Sequence, residues 1–184
     1  VQMAIKMYMD GLIKKIVITR PAVSVDEEHG FLPGTLNQKM EPWTRPIMDV
    51  FEEYYRPREI ADMLTDGVIE IAPLAMMRGR TFKHSFIICD EMQNADIKQL
   101  MTTITRFGEG SKITIIGDSR QNDINEKYVA LDFFVKEILG EDDQMFHFKF
   151  DRTDIVRDPL LIKIIDNYEK ALAEGRIPNT KRKN

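Results

Sequence analysis

A chain of 184 residues, 43% hydrophobic and 30% charged, suits one globular domain with a sizeable core. The net charge of −4 excludes a generally basic nucleic-acid coat and leaves room only for a local basic patch. The single cysteine, Cys89, excludes a disulfide framework and a cysteine-based zinc site, and His29, His84 and His147 lack metal-ligand spacing. No apolar run reaches membrane-span length and no signal-peptide pattern is present, so a cytoplasmic protein with no membrane partner is expected.

Taken in order, Val1, Ala4, Ile5, Tyr8, Met9 and Leu12 form the stripe of an opening helix, which closes near Gly11. Ile16–Thr19 reads as a short buried strand stopped by Arg20-Pro21, since Pro21 cannot donate to a ladder. Residues 22–43 form a long connection, a kind of segment that is usually functional or mobile. Pro46 is placed in the first turn of an amphipathic helix with Ile47, Val50, Phe51 and Tyr54 on one side. A short helix over Glu59–Leu64 and a strand over Val68–Ala72 follow. Arg78 and Arg80 then flank Gly79, which reads either as a solvated turn or as a phosphate or carboxylate site.

Phe86–Cys89 is too short and too rich in β-favouring side chains for a helix, so it predicts a buried strand with Cys89 in the core. At its carboxyl end stand Asp90 and Glu91. They read either as caps of the next helix or as a site where one carboxylate holds Mg²⁺ and the other orients a water. Asn94 or Asp96 can cap that helix, whose stripe is Ile97, Leu100, Met101, Ile104 and Phe107, with Gly108 and Gly110 ending it. Lys112–Ile116 is a second apolar strand ending at Gly117-Asp118, with Gln121 three residues on. Tyr128–Leu139 is helical. Met145–Phe150 alternates as a strand, with Phe146, Phe148 and Phe150 on one core face, and Pro159–Ala173 is the last helix.

Strands alternating with helices predict an α/β fold with a mainly parallel sheet covered on both faces. Two strands thereby deliver acids to one edge, Asp90-Glu91 and Asp118. Gln121 is placed to bridge a phosphate oxygen and a water, and Arg157 supplies a cation beyond the last strand. Independent helix caps do not usually bring such a set together, so the pattern favours phosphoryl transfer.

The segments ITRPAVSVDEEHGFLPGTLNQKMEPWTRP, GVIEIAPLAMMRGRTF, FIICDEMQNA, GSKITIIGDSRQND and DIVRDPLLIKIIDNYEK, from Ile16 to about Lys170, resemble in order the PhoH family of phosphate-starvation-inducible P-loop ATPases. The resemblance implies a RecA-like core related to that of superfamily 1 helicases, with ATP and Mg²⁺ as cofactors. It implies Asp90 as the Mg²⁺-coordinating acid, Glu91 as the catalytic base, and Gln121 as the γ-phosphate-sensing amide supported by Asp118. Arg78, Arg80 and Arg157 match family arginines, implied as contacts to phosphate or to a neighbouring subunit. Thr19 and Arg20 follow the second core strand and are implied to face nucleic acid. The family is associated with hexameric homo-oligomeric rings and, in some members, with RNA as partner.

One departure stands out. The loop G-x-x-x-x-G-K-[ST] does not occur in these 184 residues. The resemblance places that loop just before the helix Val1–Leu12, and its strand between Lys112–Ile116 and Met145–Phe150. The expectation is an ATPase core over residues 1–178 that lacks its first strand and phosphate loop, followed by a basic tail over 179–184, the whole being part of a longer ATPase. The competing expectation is a non-hydrolysing piece or an assembly or RNA-binding module, because the cradle for the triphosphate is absent from the sequence.

Overall fold

The computed structural model describes residues 1–21, 36–121, 129–140, 142–154 and 156–176, apart from the side chains of 36–41, 120 and 152. Most of the long connection after Pro21, the start of the helix expected at Tyr128, and the basic tail lie outside the described residues. The chain divides into two compact units, Val1–Glu141 and Asp142–Asn184. Each is taken by itself.

In the first unit, α1 (Gln2–Met9) leads into β1 (Lys15–Thr19), then α2 (Leu36–Glu52), α3 (Pro57–Thr65) and β2 (Ile69–Ile71). A 3₁₀ turn at Leu74–Met77 precedes β3 (Ser85–Cys89), and a second at Met92–Asn94 precedes α4 (Ile97–Ile104). β4 (Lys112–Ile115) follows, then a 3₁₀ turn at Ser119–Gln121 and α5 (Ala130–Phe133), which continues as one π turn to Ile138.

The four strands pair in the order β2-β1-β3-β4, all parallel. Successive side chains point to opposite faces, so each buried strand feeds two cores. Ile16, Ile18, Phe86 and Ile88 pack with Ala4, Ile5, Ile47, Phe51, Ile60 and Met63 of α1, α2 and α3. Val17, Ile87 and Cys89 pack on the other face with Met92, Leu100, Ala130 and Phe134. The expected parallel α/β sheet with helices on both faces is what the chain forms. Burial pushes the Cys89 thiol up to about 12, which fits a core residue and not a nucleophile.

Strand order also fixes where a ligand can bind. The chain leaves β1 toward β2 on one side and leaves β3 toward β4 on the other. The boundary between β1 and β3 is therefore a topological switch point, and in open α/β sheets the carboxyl ends of the strands at such a point are where ligands bind.

Several sequence expectations need correction. Met145–Phe150 is not a strand. It carries only an isolated bridge between Asp142 and Met145, and Phe146, Phe148 and Phe150 are 71%, 77% and 81% exposed. Alternation decides which side chains share a face, but it does not supply the neighbouring strand that a ladder needs.

Helix α2 begins ten residues before Pro46 and carries both Pro42 and Pro46 inside it. Each proline removes one ladder bond, and the remaining i→i−4 bonds carry the helix through. Leu12, Tyr54 and Phe107, expected on helical stripes, lie beyond the ends of their helices and are 61%, 48% and 49% exposed. Met9, at the very end of α1, is 65% exposed. The expected apolar strand at Lys112–Ile116 forms as an edge strand, with Lys112, Thr114 and Ile116 exposed and Ile113 and Ile115 half-buried.

In the second unit, α6 (Pro159–Ala173) forms where expected. Its N-terminus is capped by the Asp158 side chain, which accepts from the Leu160 N–H.

Candidate active site

Asp90 and Glu91 sit at the switch point, and the backbone there is irregular. The Asp90 N–H donates to the Thr19 carbonyl, continuing the β1–β3 ladder. On the other side the Ile116 N–H donates to the Cys89 carbonyl. An uninterrupted parallel ladder would then return the Glu91 N–H to the Ile116 carbonyl, but the Met92 N–H makes that bond instead, at 2.9 Å. One extra residue is thus inserted at the end of β3, a bulge of the kind that re-aims side chains at functional sites. Glu91 takes a left-handed backbone conformation, φ 53° and ψ 34°, uncommon for a residue with a Cβ. The displaced Glu91 N–H turns to the Asp90 carboxylate.

The capping alternative does not hold for the next helix. Asp96 caps α4, accepting from the Gln99 N–H at 2.8 Å in a reciprocal capping box. Glu91 makes no side-chain cap bond. Its carboxylate instead accepts from Gln93 Nε2 at 2.6 Å and lies 3.8 Å from the Arg20 guanidinium. Arg20 also donates to the Trp43 carbonyl of α2 at 3.3 Å, which links the carboxylate to that helix.

Asp90 is half-buried. Burial first, and the Glu91 charge second, push its carboxyl above the usual carboxylate range; Arg20 and the Glu91 N–H pull the other way. A group whose folded pKa is raised favours the fold fully below its unfolded pKa and loses that contribution as pH rises through the folded value. Asp90→Asn should therefore raise the thermal unfolding midpoint at pH 7, by an amount that shrinks as pH falls to the ordinary aspartate range. Melts between pH 4 and 7 without divalent cations check this, and a gain that does not vary with pH would reject it.

Asp118 and Gln121 stand at the end of β4. Gln121 Nε2 donates to Asp118 Oδ2 at 3.0 Å, and the Gln121 N–H donates to the Asp118 carbonyl at 2.8 Å. Ser119 hydrogen-bonds Asp132, fastening this turn to α5. The expected grouping of Asp118 with Gln121 thus exists as direct contact.

Gln93 is a residue that the sequence reading did not single out. It is 1% exposed, and its two ends connect the strand ends: Nε2 to Glu91, and Oε1 accepting the Asp118 N–H at 3.2 Å. A polar amide two residues after an acid pair was the signal available, but nothing in the sequence marks it as buried.

The arginines divide. Arg80 makes a bidentate pair with Glu70, its second bond at 3.0 Å, and lies over the Phe82 ring at 4.5 Å. Lys15 joins the same carboxylate at 2.8 Å. The Arg80 hydrogen bond, with help from Lys15, holds Glu70 below the usual carboxylate range despite its burial. Glu70 is in register with Val17, three residues before Arg20, so Arg80 is engaged away from the crevice mouth. Arg78 is exposed on the turn after Leu74–Met77. Arg157 is exposed in the second unit. Thr19 is fully buried, and its hydroxyl has no hydrogen-bond partner among the described residues.

Among the described residues no three His, Cys, Asp or Glu side chains gather into a protein-only metal cage. A Mg²⁺ ion does not require one, because it binds through one or two carboxylates and fills its shell with water and phosphate oxygens. The half-buried Asp90 carboxylate has the chemistry for that role.

A model of the PhoH-like protein family matches residues 1–169. The chain belongs to the PhoH-like family. Among its relatives, the PhoH-like protein of Bacillus subtilis (strain 168) is 41% identical over 167 residues, covering 91% of this chain and 52% of that protein. The PhoH-like protein of Synechocystis sp. is 38% identical over 170 residues, covering 92% and 52%. Protein PhoH of Escherichia coli (strain K12) is 34% identical over 164 residues, covering 85% and 45%. The chain spans about half the length of the curated relatives it matches. Its all-parallel α/β sheet is consistent with a RecA-like P-loop NTPase core, and no helix among the described residues is long and apolar enough to cross a membrane.

Proposed function

We propose that these residues form the acid half of an ATP-hydrolysing site. The observation that carries the reading is the bulge at the switch point. It spends an unfavourable backbone conformation to present Glu91 beside Asp90 without using either as a helix cap. In this reading Asp90 holds the Mg²⁺ ion, which when bound neutralises charge on the triphosphate. Glu91 takes the proton of the attacking water, oriented by Gln93 on one oxygen and balanced by Arg20 near the other. Gln121, held by Asp118, offers its amide to the terminal phosphate. Of the arginines that the family resemblance offers for phosphate or a neighbouring subunit, Arg78 and Arg157 are each exposed within their own unit, whereas Arg80 is paired with Glu70.

Family resemblance extends the proposal to RNA as partner and to a homo-oligomeric ring. Thr19 is buried and Arg20 is engaged by Glu91 and the Trp43 carbonyl, so a contact of Arg20 with a nucleic-acid phosphate would exchange that hold for the new one. The test is Mg²⁺-dependent ATP hydrolysis by the natural polypeptide that carries these residues. Absence of nucleotide binding in calorimetry, together with salt-sensitive RNA binding, would reject the enzyme in favour of a binding module.

A further inference from the structure

Gln93 joins the ends of β3 and β4 through its side chain. Its amide is buried, and both of its ends are engaged. The nitrogen donates to Glu91 Oε2 at 2.6 Å, and the oxygen accepts the Asp118 N–H at 3.2 Å. The chain then makes room for this amide. A Cβ on Gly117 would lie 2.7 Å from Gln93 Oε1 and 2.9 Å from the Gln93 backbone nitrogen, so no side chain fits at Gly117 with Gln93 in place. Beyond Asp118 the contact continues to Gln121 Nε2 at 3.0 Å.

We propose that Gln93 is a positioning residue that locks the base Glu91 to the Asp118–Gln121 turn, so that the base and the phosphate-facing amide keep one spacing. This rests on the ATP-hydrolysing reading above and deepens it. Glu91 sits on a strained, inserted residue, and a carboxylate there has no regular ladder to hold it. The Gln93 amide fixes one of its oxygens with a charge-assisted bond, leaving the other for a water. The same amide reports the position of the β4 end, because the backbone N–H it accepts belongs to Asp118. Movement of Gln121 on a phosphate is thereby transmitted to the base through three bonds.

The experiment uses Gln93→Met and Gln93→Glu in the natural polypeptide. Methionine keeps the length but makes neither bond; kcat for ATP should fall about 10- to 100-fold, with KM changed by less than about twofold. Glutamate can still accept the Asp118 N–H but sets a second carboxylate against Glu91. Once protonated it donates again, so the activity of Gln93→Glu should recover toward acid pH and its pH profile should shift to the acid side. Wild-type kcat in both variants overturns the lock. So does a loss that tracks thermal stability with no acid shift, since packing would explain it.

If the unmodified protein hydrolyses no ATP, the proposed function fails by itself, and the bridge is then decided by amide exchange. The Asp118 N–H should exchange about tenfold faster or more in Gln93→Met and remain protected in Gln93→Glu. Equal exchange in all three proteins overturns it.

Discussion

Glu91→Gln is expected to lower ATP turnover by about 10²- to 10⁴-fold while leaving nucleotide affinity within about twofold. The substitution keeps the shape of the side chain but removes its negative charge and its capacity to take a proton. The left-handed backbone at residue 91 is set by the bulge, not by the carboxylate, so it should persist. Gln93 can still donate to the new amide oxygen, and Arg20 loses only a 3.8 Å ion pair at a partly exposed position, which contributes little. The fold should therefore be unaffected, and the loss should lie in kcat. Steady-state turnover paired with calorimetric ATP binding separates the two. Unchanged turnover would remove Glu91 from its assigned role, and equal loss of binding would make it a ligand for the nucleotide and not the base.

Phe51→Ala should cost about 3–5 kcal/mol of stability, a large share of the roughly 5–15 kcal/mol of a typical domain. Phe51 is fully buried and packs with Ala4 and Ile5 of α1 and with the Ile16, Ile18 and Ile88 face of the sheet. It also anchors α2, a helix weakened by Pro42 and Pro46. Trp43 of that helix receives the Arg20 hydrogen bond, so loosening α2 should release Arg20 from its hold beside Glu91. Urea unfolding should show a lower midpoint, and exchange at α2 amides should quicken before that of β3. A destabilisation below about 1 kcal/mol would show that the site collapses around the lost ring.

The acid edge was legible because its causes are local. Short runs of β-favouring side chains, each followed by a carboxylate, identify β3 and β4 and what they deliver. Cys89 was assigned to the core from the run it lies in, and Asp96 was one of two caps offered by the start of α4. Periodicity did less well at helix ends. Leu12, Tyr54 and Phe107 continue the stripe in sequence after the helix itself has stopped, because a stripe does not encode where hydrogen bonding ends. Phe146, Phe148 and Phe150 show the same limit for strands, since their alternation is present but no strand among the described residues pairs with them.

By itself the sequence determined the family, the α/β class and the acids at the strand ends, because composition, alternation and motif are properties of neighbouring residues. Only the tertiary structure decided how those acids are used. It placed Asp90 and Glu91 at the boundary between β1 and β3, where the connections diverge, and inserted the extra residue that sets Glu91 apart from the ladder. It gave Arg80 to Glu70, from a strand ten residues earlier, and it buried Gln93 against Asp118, 25 residues further along the chain. Such pairings depend on which strands become neighbours and on which carboxylate reaches a cation first, and no spacing along the chain records that.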